Sequence, residues 1–492
     1  MRYWYRSKSK ILSAITIFLL FYLVFSFGVN ITSLFKSGFS NYEILSELHQ
    51  HRQLKERYQL TGIILHWQRL TGVRDLLRTM LDFDDLFVHI IIWNNNPKKN
   101  LTVADLLVES SDRIEIVNSP ENIKDQAKYR ACQLAKTNAC FYADDDWDVR
   151  MYVRSLYSSF LLEPTILHAM TDQFTYFTNV MWTFFDTQID LHTGFSWIGC
   201  GSIFSRENAI RHLGYLDYFL DSEENRDLAR QGDQFFSIWM NQIPAQFNGR
   251  LIHSDEGAMS SFENYDFDMI QHRASILSIE ILEKTLRFSP QSKIFERKRA
   301  TNSLVTYTKS PCSYNDRFIF FTNCLPIDDV EEIPFNITTD IKRGTRSNLP
   351  NEPTCPYRYE HKFFENFSTA NAVDNNTETC WKTRHPVERG DFYGLDFQTI
   401  QISGDLAFTI EYSHRKSLQK RLQISISLDG YRWLTLPAHN RLGITYKKRK
   451  KIVYFRTQLF PDGFRMFRFI KFMSLTEEED SFHICEVRLI DS

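Results

Sequence analysis

The sequence lacks the short motifs that mark several large protein classes. None of its eight cysteines forms a Cys-x-x-Cys pair, which argues against a zinc site. Neither GxGxxG nor GxxxxGK occurs, so the chain is neither a Rossmann-type dinucleotide-binding protein nor a P-loop enzyme. The formal net charge is only −2 over 492 residues, so the chain lacks the basic excess of a nucleic-acid-binding protein. We therefore expect no nucleic-acid partner.

Only one long apolar run is present, at Ile11–Val29, and it is long enough to span a bilayer. Basic residues precede it and the next one is Lys36, so the positive-inside rule puts residues 1–10 in the cytosol. A cleaved signal peptide is the alternative, but no small-x-small cleavage site follows Phe27. The pattern predicts a single-pass type II protein of the Golgi or endoplasmic reticulum membrane, with residues 11–29 as a signal anchor and the rest lumenal.

Sequons and cysteines are consistent with the secretory route. Asn-x-Ser/Thr sequons begin at five positions, which are Asn30, Asn100, Asn336, Asn366 and Asn375. Some of the cysteines should pair in an oxidising lumen. We predict a local Cys312–Cys324 disulfide, and a Cys355–Cys485 disulfide that would close the last domain.

Periodicity divides the lumenal part into four segments. Residues 30–57 predict a short, partly helical stem, and residues 58–290 alternate strands and helices as in a mainly parallel α/β sheet. Residues 291–353 form a connector that contains the apolar run Phe318–Thr322. Residues 354–492 contain short, turn-separated strands that predict an all-β sandwich. The predicted strands are Phe392–Phe397, Phe408–Tyr412, Leu422–Leu428, Ile452–Phe455, Met466–Phe472 and Ile484–Ile490.

Three consecutive carboxylates, Asp144, Asp145 and Asp146, close the apolar stretch that begins at Ala139. Open α/β sheets bind ligands at the carboxyl ends of their strands, where this stretch would end. In an extended chain Asp144 and Asp146 would point one way and Asp145 the other. Mg²⁺ or Mn²⁺ would relieve their repulsion and could bridge to phosphates. The alternative is a solvated acidic turn or a helix N-cap.

In this context the region from about 60 to 290 resembles the exostosin-like glycosyltransferases (family 64, GT-A fold). The likeness rests on ordered short motifs: Leu65-His-Trp-Gln-Arg69, Ile92-Trp-Asn-Asn95, Thr137-Asn-Ala-Cys-Phe-Tyr-Ala-Asp-Asp-Asp146, Phe195-Ser-Trp-Ile-Gly-Cys-Gly-Ser-Ile-Phe204, Gly232-Asp233 and Gln271-His-Arg-Ala274. The resemblance implies a retaining, metal-dependent hexosyltransferase that uses a UDP-sugar and Mn²⁺ (or Mg²⁺). The family's donors carry N-acetylhexosamine or glucuronate.

The resemblance also implies roles for individual residues. Asp146 would hold the metal, with Asp144 at the nucleoside and Asp145 in support. On the sugar side, Asp233 would contact hydroxyls or the acceptor and Arg273 the leaving phosphate. The other expected donor-binding residues are Arg69, Asn94, Asn95 and Arg130, and His253 is a candidate extra metal ligand.

Two departures weaken this likeness. Gly232 replaces the first Asp of a family pair, and the surroundings of Arg130 match poorly. A helix cap is the alternative for Asp233. The acidic cluster Asp221, Glu223 and Glu224 is consistent with a solvated loop.

The region 355–492 resembles discoidin (coagulation-factor type C, galactose-binding-like) domains through Ala372–Trp381, Gly390–Phe397, Ser427–Trp433 and Phe467–Ile470. By that resemblance, Asp374 and Thr379 would help to hold a structural Ca²⁺, and Trp381 would be a core residue. The basic run Lys447–Lys451 could contact an anionic polymer or simply form a solvated hairpin tip.

Two functions therefore remain open. The first is a type II membrane glycosyltransferase that moves a sugar from a UDP-sugar to a glycan or glycoprotein acceptor. The second is a glycan-binding membrane protein that carries a catalytically inactive transferase fold. Release of UDP from a donor separates the two.

Overall fold

A computed structural model describes residues 39–108, 112–180, 182–222, 225–230, 232–252, 267–300, 307–326, 358–401, 405–409, 422–436, 444–447, 452–456 and 466–490. The predicted cytosolic tail and signal anchor lie outside these ranges, as do His253, Glu223, Glu224, Asn30 and Asn336. Within the described ranges, no helix has both the length and the apolar character needed to cross a bilayer.

The first half alternates helices and strands, as the periodicity predicts. Its elements are α1 (Asn41–Arg57), β1 (Leu60–His66), α2 (Leu70–Asp82), β2 (Phe87–Asn94), α3 (Val103–Leu106), β3 (Ile114–Asn118), α4 (Gln126–Leu134), β4 (Ala139–Tyr142), α5 (Val153–Leu162), β5 (His168–Thr171), α6 (Gln173–Val180), β6 (Thr183–Asp186), β7 (Leu191–Gly194), β8 (Ser202–Ser205), α7 (Arg206–Phe219), α8 (Arg226–Ala229), α9 (Gly232–Trp239), β9 (Ala245–Asn248) and α10 (Phe267–Phe288).

Strands β3, β2, β1 and β4 lie side by side in that order and are parallel. Next to β4 comes β8, which is antiparallel to both β4 and β5, and β9 is parallel to β5. The strands are buried apolar runs such as Ile63–Ile64 and Ile90–Ile92, as expected for a sheet covered on both faces. The carboxyl ends of six parallel strands therefore meet at one edge of the sheet.

The second half is a β-sandwich, as predicted. Its elements are β10 (Thr308–Pro311), β11 (Ile319–Thr322), α11 (Arg358–Phe367), the 3₁₀ helix Thr369–Ala372, β12 (Trp381–Lys382), β13 (Phe392–Gln401), β14 (Asp405–Thr409), β15 (Leu422–Ser427), β16 (Leu434–Thr435), β17 (Ile444–Lys447), β18 (Ile452–Arg456), β19 (Phe467–Ser474), β20 (His483–Ile484) and β21 (Glu486–Ile490). One face carries β13, β19 and β15, and the other carries β17, β18, β14 and β21.

A shared hydrophobic core lies between the two faces of the sandwich. Leu395 and Ile470 of one face pack in the same cluster as Val487 of the other, and Trp381 belongs to it. Trp381 is therefore a core residue, as expected.

The predicted connector contributes two strands to the fold. Strand β10 pairs with β9, and β11 pairs with β13, so one thirteen-stranded sheet runs through both halves. The apolar run Phe318–Thr322 is buried because it forms β11 at the centre of this junction.

Both predicted disulfides are wrong. Cys312 keeps a free thiol, since the antiparallel β10–β11 hairpin puts Cys312 and Cys324 at opposite ends. Cys485 pairs with Cys380, because β12 and β20 are antiparallel and align Trp381 with Ile484. A second disulfide joins Cys132 of α4 to Cys140 of β4. Cys355 lies outside the described ranges.

Two buried histidines should make the protein sensitive to acid. Burial, followed by a nearby lysine (Lys309 and Lys128 respectively), lowers the pKa of His168 and of His212 to about 3. The folded state keeps both rings neutral while the unfolded chain protonates them below about pH 6.5, so this stability is lost as the pH falls from 6.5 towards 3. We expect each ring to contribute a loss of about 1.4 kcal/mol per pH unit in that window. Denaturant titrations from pH 6.5 to 4 on wild type and His212→Phe should show the smaller slope in the variant, and equal slopes would contradict the assignment.

Candidate functional site

The acidic triplet lies at the carboxyl edge of the sheet. Strand β4 ends at Tyr142, and Asp145 and Asp146 form a turn directly after it. The Asp144 amide donates to the Gly199 carbonyl at 2.8 Å, and the Tyr142 hydroxyl donates to Asp144 Oδ1. The predicted position of the triplet at the end of a strand is thus confirmed.

The predicted alternation of the three side chains is wrong. Because the strand ends before the triplet, Asp145 and Asp146 both turn to Arg69, with Arg69 Nη2 at 2.6 Å from Asp145 Oδ1 and 3.4 Å from Asp146 Oδ2. Asp144 instead contacts Tyr142. The triplet is therefore divided into one pair that is held by Arg69 and a single carboxylate on the other side.

One oxygen of the triplet stands out. Asp146 Oδ1 is buried and has no hydrogen-bond partner among the residues that the structure describes. Leaving a charged oxygen unpaired in a buried place costs several kcal/mol, so such an atom indicates a missing ligand. A divalent cation with oxygen ligands would satisfy it.

A second group of charges lies beside Asp144. Lys128 of α4 is buried, and its Nζ donates to Asp233 Oδ1 at 2.8 Å and lies 3.5 Å from Asp125 Oδ1. The ammonium also lies 4.5 Å from the centre of the Tyr142 ring. The Tyr129 hydroxyl donates to the same Asp233 oxygen at 3.0 Å. Asp233 of α9 is thereby brought to the triplet, where the resemblance places it.

The electrostatics show that this edge is short of positive charge. Among the described residues, five carboxylates (Asp125, Asp144, Asp145, Asp146 and Asp233) lie around the Arg69 and Lys128 cations, and the exposed Arg250 follows β9 at the same edge. Burial raises the pKa of Asp144 although Lys128 lowers it, and burial raises the pKa of Asp145 to about 6 against Arg69. Burial alone would lower the pKa of Lys128, but the carboxylates of Asp125, Asp233 and Asp144 outweigh it and raise that pKa. A bound divalent cation fits this charge balance.

Asn94 and Asn95 stabilise the neighbouring strand ends. Asn94 is fully buried, lies 2.9 Å from His66 Nδ1, and donates to Asn118 and to the Lys99 carbonyl. Asn95 accepts from the Trp93 indole and donates to the Lys124 carbonyl. Both side chains therefore already have partners that hold the edge together, and their contact with a nucleotide stays a prediction.

The other predicted cations make no ion pair with the triplet within the described ranges. Arg130 lies on α4 and makes a 3.8 Å ion pair with the exposed Asp217. Arg273 is exposed on α10, and no hydrogen bond or ion pair joins it to another residue in the described ranges. Asp221 is exposed in a loop.

Sequence reasoning missed Lys128 and Arg250. Asp125 and Lys128 have the i, i+3 spacing of a helical ion pair, which was the available signal, but we chose the neighbouring Arg130. Arg250 follows β9 at the same edge and is exposed. The Ile252 carbonyl, two residues further on, accepts from the Asp148 amide at 2.9 Å, which places this segment beside the triplet.

Two glycines allow the triplet to pack closely against its neighbours. A Cβ on Gly199 would lie 2.0 Å from Asp144 Oδ2, and one on Gly72 would lie 2.1 Å from the Asp145 carbonyl oxygen. Real Cβ atoms do not approach other atoms so closely, so these positions require glycine.

We expect Gly199→Ala to destabilise the fold by about 1–3 kcal/mol, because Asp144 would have to leave its Tyr142 contact. The matched control is Gly214→Ala on α7, where nothing lies within 4 Å of the added Cβ. That change should stabilise the helix by about 0.5–1 kcal/mol. Denaturant unfolding of both variants measures the difference, and equal effects would contradict this account.

The expected calcium loop in the sandwich has a further acidic neighbour. Thr379 Oγ1 donates to Asp374 Oδ2 at 2.6 Å. Glu486 of β21 is fully buried, and within the described ranges neither of its carboxylate oxygens makes a well-formed hydrogen bond. Burial, together with the nearby Asp374 carboxylate, raises the pKa of Glu486 to about 8. Arg488 and the Asn375 and Asn376 amides act in the opposite direction and lower this pKa. These donors fit a hard cation such as Ca²⁺.

Cys380, His483 and Cys485 have ligand atoms within 4.8 Å of one another, as metal ligands do. The two cysteines are joined in a disulfide, so their sulfurs are not available as thiolates. This group is therefore not a metal site.

Comparisons with known proteins concern only part of the chain. No protein-family model matches, and no curated protein matches the sequence. Solved structures that are similar include a CBM32 module of Clostridium perfringens in complex with GalNAc-β-1,3-galactose (10% identity, 25% of this chain and 82% of that chain, TM-score 0.19). A second is a family 32 module of C. perfringens NanJ in complex with galactose (13% identity, 25% of this chain and 85% of that chain, TM-score 0.18). A third is the lectin domain of lectinolysin complexed with Lewis B antigen (12% identity, 26% of this chain and 86% of that chain, TM-score 0.19).

These structures are carbohydrate-binding or lectin domains. Their TM-scores are too low to carry an argument about a ligand of this chain. The transferase likeness of the first half has no counterpart among them.

Proposed function

We propose that this protein is a metal-dependent glycosyltransferase that moves a sugar from a UDP-sugar to a glycan acceptor with retention. The observation that carries the proposal is Asp146 Oδ1, a buried carboxylate oxygen without a partner at the strand edge where α/β sheets bind ligands. Asp146 would hold Mn²⁺ or Mg²⁺, and Asp144 and Asp145 lie beside it. A bound cation would stabilise the negative charge that develops on UDP as the sugar–phosphate bond breaks.

Residues of the chain would position the sugar, the metal-binding carboxylates and the diphosphate. Lys128 and Tyr129 both donate to Asp233 Oδ1 and hold this carboxylate in one orientation. Its Oδ2 has no hydrogen bond within the described ranges, so it can accept one from a sugar hydroxyl. Arg69 fixes Asp145 and Asp146, and Arg250 is the exposed cation at this edge that could reach the diphosphate.

The same proposal includes location. The apolar run at residues 11–29 supports a type II anchor in the Golgi or endoplasmic reticulum membrane, and two disulfides are consistent with an oxidising compartment. Asn100 and Asn375 are exposed loop sequons that could carry glycans there.

The experiment is a UDP-release assay on the full-length protein in detergent. It uses a panel of UDP-sugars, including N-acetylhexosamine and glucuronate donors, with Mn²⁺ present or removed by chelator. We expect chelator-sensitive release from at least one donor. No release from any donor would reject the transferase.

The second candidate is a glycan-binding protein with an inactive transferase fold. Arg130 pairs with Asp217, Arg273 makes no ion pair with the triplet in the described ranges, and Arg69 is already engaged by Asp145 and Asp146. Glycan binding without UDP release would establish it.

We also propose that the sandwich holds a structural Ca²⁺ through Asp374, Thr379 and Glu486. The ion would relieve the buried Glu486 carboxylate, so Ca²⁺ should raise the melting temperature, by an amount that grows with concentration. Glu486→Gln should remove this increment, whereas Glu479→Gln, at an exposed carboxylate, should keep it. Thermal unfolding with Ca²⁺ or chelator checks this, and an increment that survives in Glu486→Gln would disprove the site.

A further inference from the structure

The helix α1 presents three large apolar side chains to solvent at its N-terminal end. Tyr42 is 80% exposed, Leu45 is 65% exposed and Leu48 is 44% exposed. They are spaced three residues apart, so they follow one side of the first two turns, as positions a, d and g of a heptad do. A single exposed leucine is common on protein surfaces, whereas a contiguous apolar stripe marks an interaction surface. We call these three residues the stem stripe.

The helix is held in place from its other side, so the stem stripe does not turn inward. Phe39, directly before α1, packs against the core of the sandwich, and Leu54 packs against the core of the α/β half. The N-terminus of α1 is fixed by a capping box, in which the Ser40 amide donates to Glu43 Oε2 at 2.8 Å. Both ends of the helix are therefore anchored, and the stem stripe is left for a partner outside the described part of the chain.

The chain before α1 determines which partner meets the stem stripe. Only residues 30–40 lie between the apolar run Ile11–Val29 and the start of α1 at Asn41. Eleven extended residues span at most about 40 Å, so a membrane anchor at this run keeps α1 close to the bilayer. All copies anchored in one membrane then carry the stem stripe at a similar height and with the same polarity. A two-fold axis along the membrane normal brings two such stripes face to face.

We propose that the stem stripe is the contact through which two anchored copies of this chain form a parallel, two-fold symmetric dimer. Tyr42 and Leu45 would pack against their counterparts in the second copy, with Leu48 at the edge of the contact. The proposal rests on the membrane anchor of the proposed function, but it does not require transferase activity.

The length of the stem stripe indicates that the contact depends on anchoring. The next a and d positions are His49 and Arg52, so the apolar part ends after two turns. Two short helical segments bury far less than the roughly 1,200 Å² of a stable interface between free proteins. Anchoring in one membrane raises the effective concentration of the copies and so makes a small contact sufficient.

The charges of α1 also fit a second copy better than a lipid surface. Helices that lie on membranes combine a broad apolar face with a basic polar face. The stem stripe is short, and α1 carries three acidic and three basic residues. Arg52 would approach its counterpart in a parallel dimer, but Glu56 of the same helix lies 2.9 Å from Arg52 Nε and offsets the like charges.

The first test is cysteine cross-linking of the full-length protein in intact membranes at low expression. Leu45→Cys should give a disulfide-linked species of twice the monomer mass under mild oxidation. Gln50→Cys is the matched control, because Gln50 is exposed on the same helix but is turned about 140° from Leu45 around the axis. It should give no more product than wild type, whose own free thiols set the background.

The second test measures energy transfer between two differently labelled copies in the same membranes. Leu45→Glu with Leu48→Glu places like charges at the contact and should weaken association by about tenfold or more. Both positions are exposed, so the fold should be kept, and circular dichroism checks this. Gln50→Glu adds the same kind of charge away from the stem stripe and should associate as wild type does.

Several results would overturn the proposal. Equal cross-linking at Leu45→Cys and Gln50→Cys would indicate random collision, and a product of another mass would indicate a different protein as partner. Association that persists in the double glutamate variant would assign it to another surface. A Leu45→Cys thiol that is shielded from a water-soluble maleimide without cross-linking would place the stem stripe on the lipid surface.

The anchor and the transferase are tested separately from the dimer. Release of the protein from membranes by alkaline carbonate would remove the anchor and with it the dimer proposal. Cross-linking at Leu45→Cys without UDP release from any donor would keep the dimer and reject only the transferase.

Discussion

Asp146→Asn should abolish divalent-cation binding and UDP release while the protein stays folded. The substitution removes a charge from the triplet carboxylate whose buried Oδ1 has no partner in the described part of the chain, and it reduces the excess of acid over base that attracts the cation. The fold should tolerate the change, because Arg69 keeps its shorter contact with Asp145 at 2.6 Å. We expect Mn²⁺ affinity to fall by at least about 100-fold and UDP release to reach background. Electron paramagnetic resonance of Mn²⁺ and the UDP assay measure the two effects.

Asp148→Asn is the matched control for this prediction. Asp148 has the same chemistry two residues further on, but its carboxylate contacts the Arg150 side chain and amide, and it is partly exposed. It should bind Mn²⁺ like wild type. Equal losses in both variants would indicate a diffuse acidic surface. Unchanged Mn²⁺ binding in Asp146→Asn would remove the metal site from the proposal.

Local patterns predicted the strands and the position of the triplet well. Apolar runs such as Ile90–Ile92 form the expected parallel strands, because a sheet buried on both faces requires continuous apolar sequence. The end of β4 also follows from the sequence, since a carboxylate run cannot continue a buried strand. The type of a single strand and the residue at which it ends can therefore be predicted from the sequence.

Contacts between elements that are distant in the chain could not be predicted from the sequence. Lys128 and Arg130 are two residues apart on the same helix, and only the structure shows that Lys128 points to Asp233 while Arg130 points to Asp217. The disulfides failed for the same reason, because pairing of β12 with β20 decides that Cys485 meets Cys380.

The largest effect on stability should come from breaking the Arg468–Asp396 ion pair. Arg468 of β19 donates from Nε and Nη2 to the two carboxylate oxygens of Asp396 of β13 at 2.7 and 2.9 Å, and both side chains are buried. Arg468 also donates to the Ser158 hydroxyl at 2.7 Å, so the pair connects the sandwich to α5 of the other half. Removing one partner leaves an unpaired buried charge. We expect Arg468→Ala and Asp396→Ala each to cost about 3–5 kcal/mol of unfolding free energy.

Replacing both charges should be far less harmful than replacing one. In Arg468→Met with Asp396→Leu neither member of the pair is left as an unpaired charge, so most of the loss should be recovered. Ser158 and the Gln398 amide lose a partner, and the buried Lys309 loses the attraction of Asp396. Arg432→Ala is the control, because its contact with Asp429 is exposed on the arginine side and should be worth less than about 1 kcal/mol. Denaturant unfolding followed by circular dichroism compares the variants. If the single and double replacements were equally destabilising, packing rather than the ion pair would hold the two halves together.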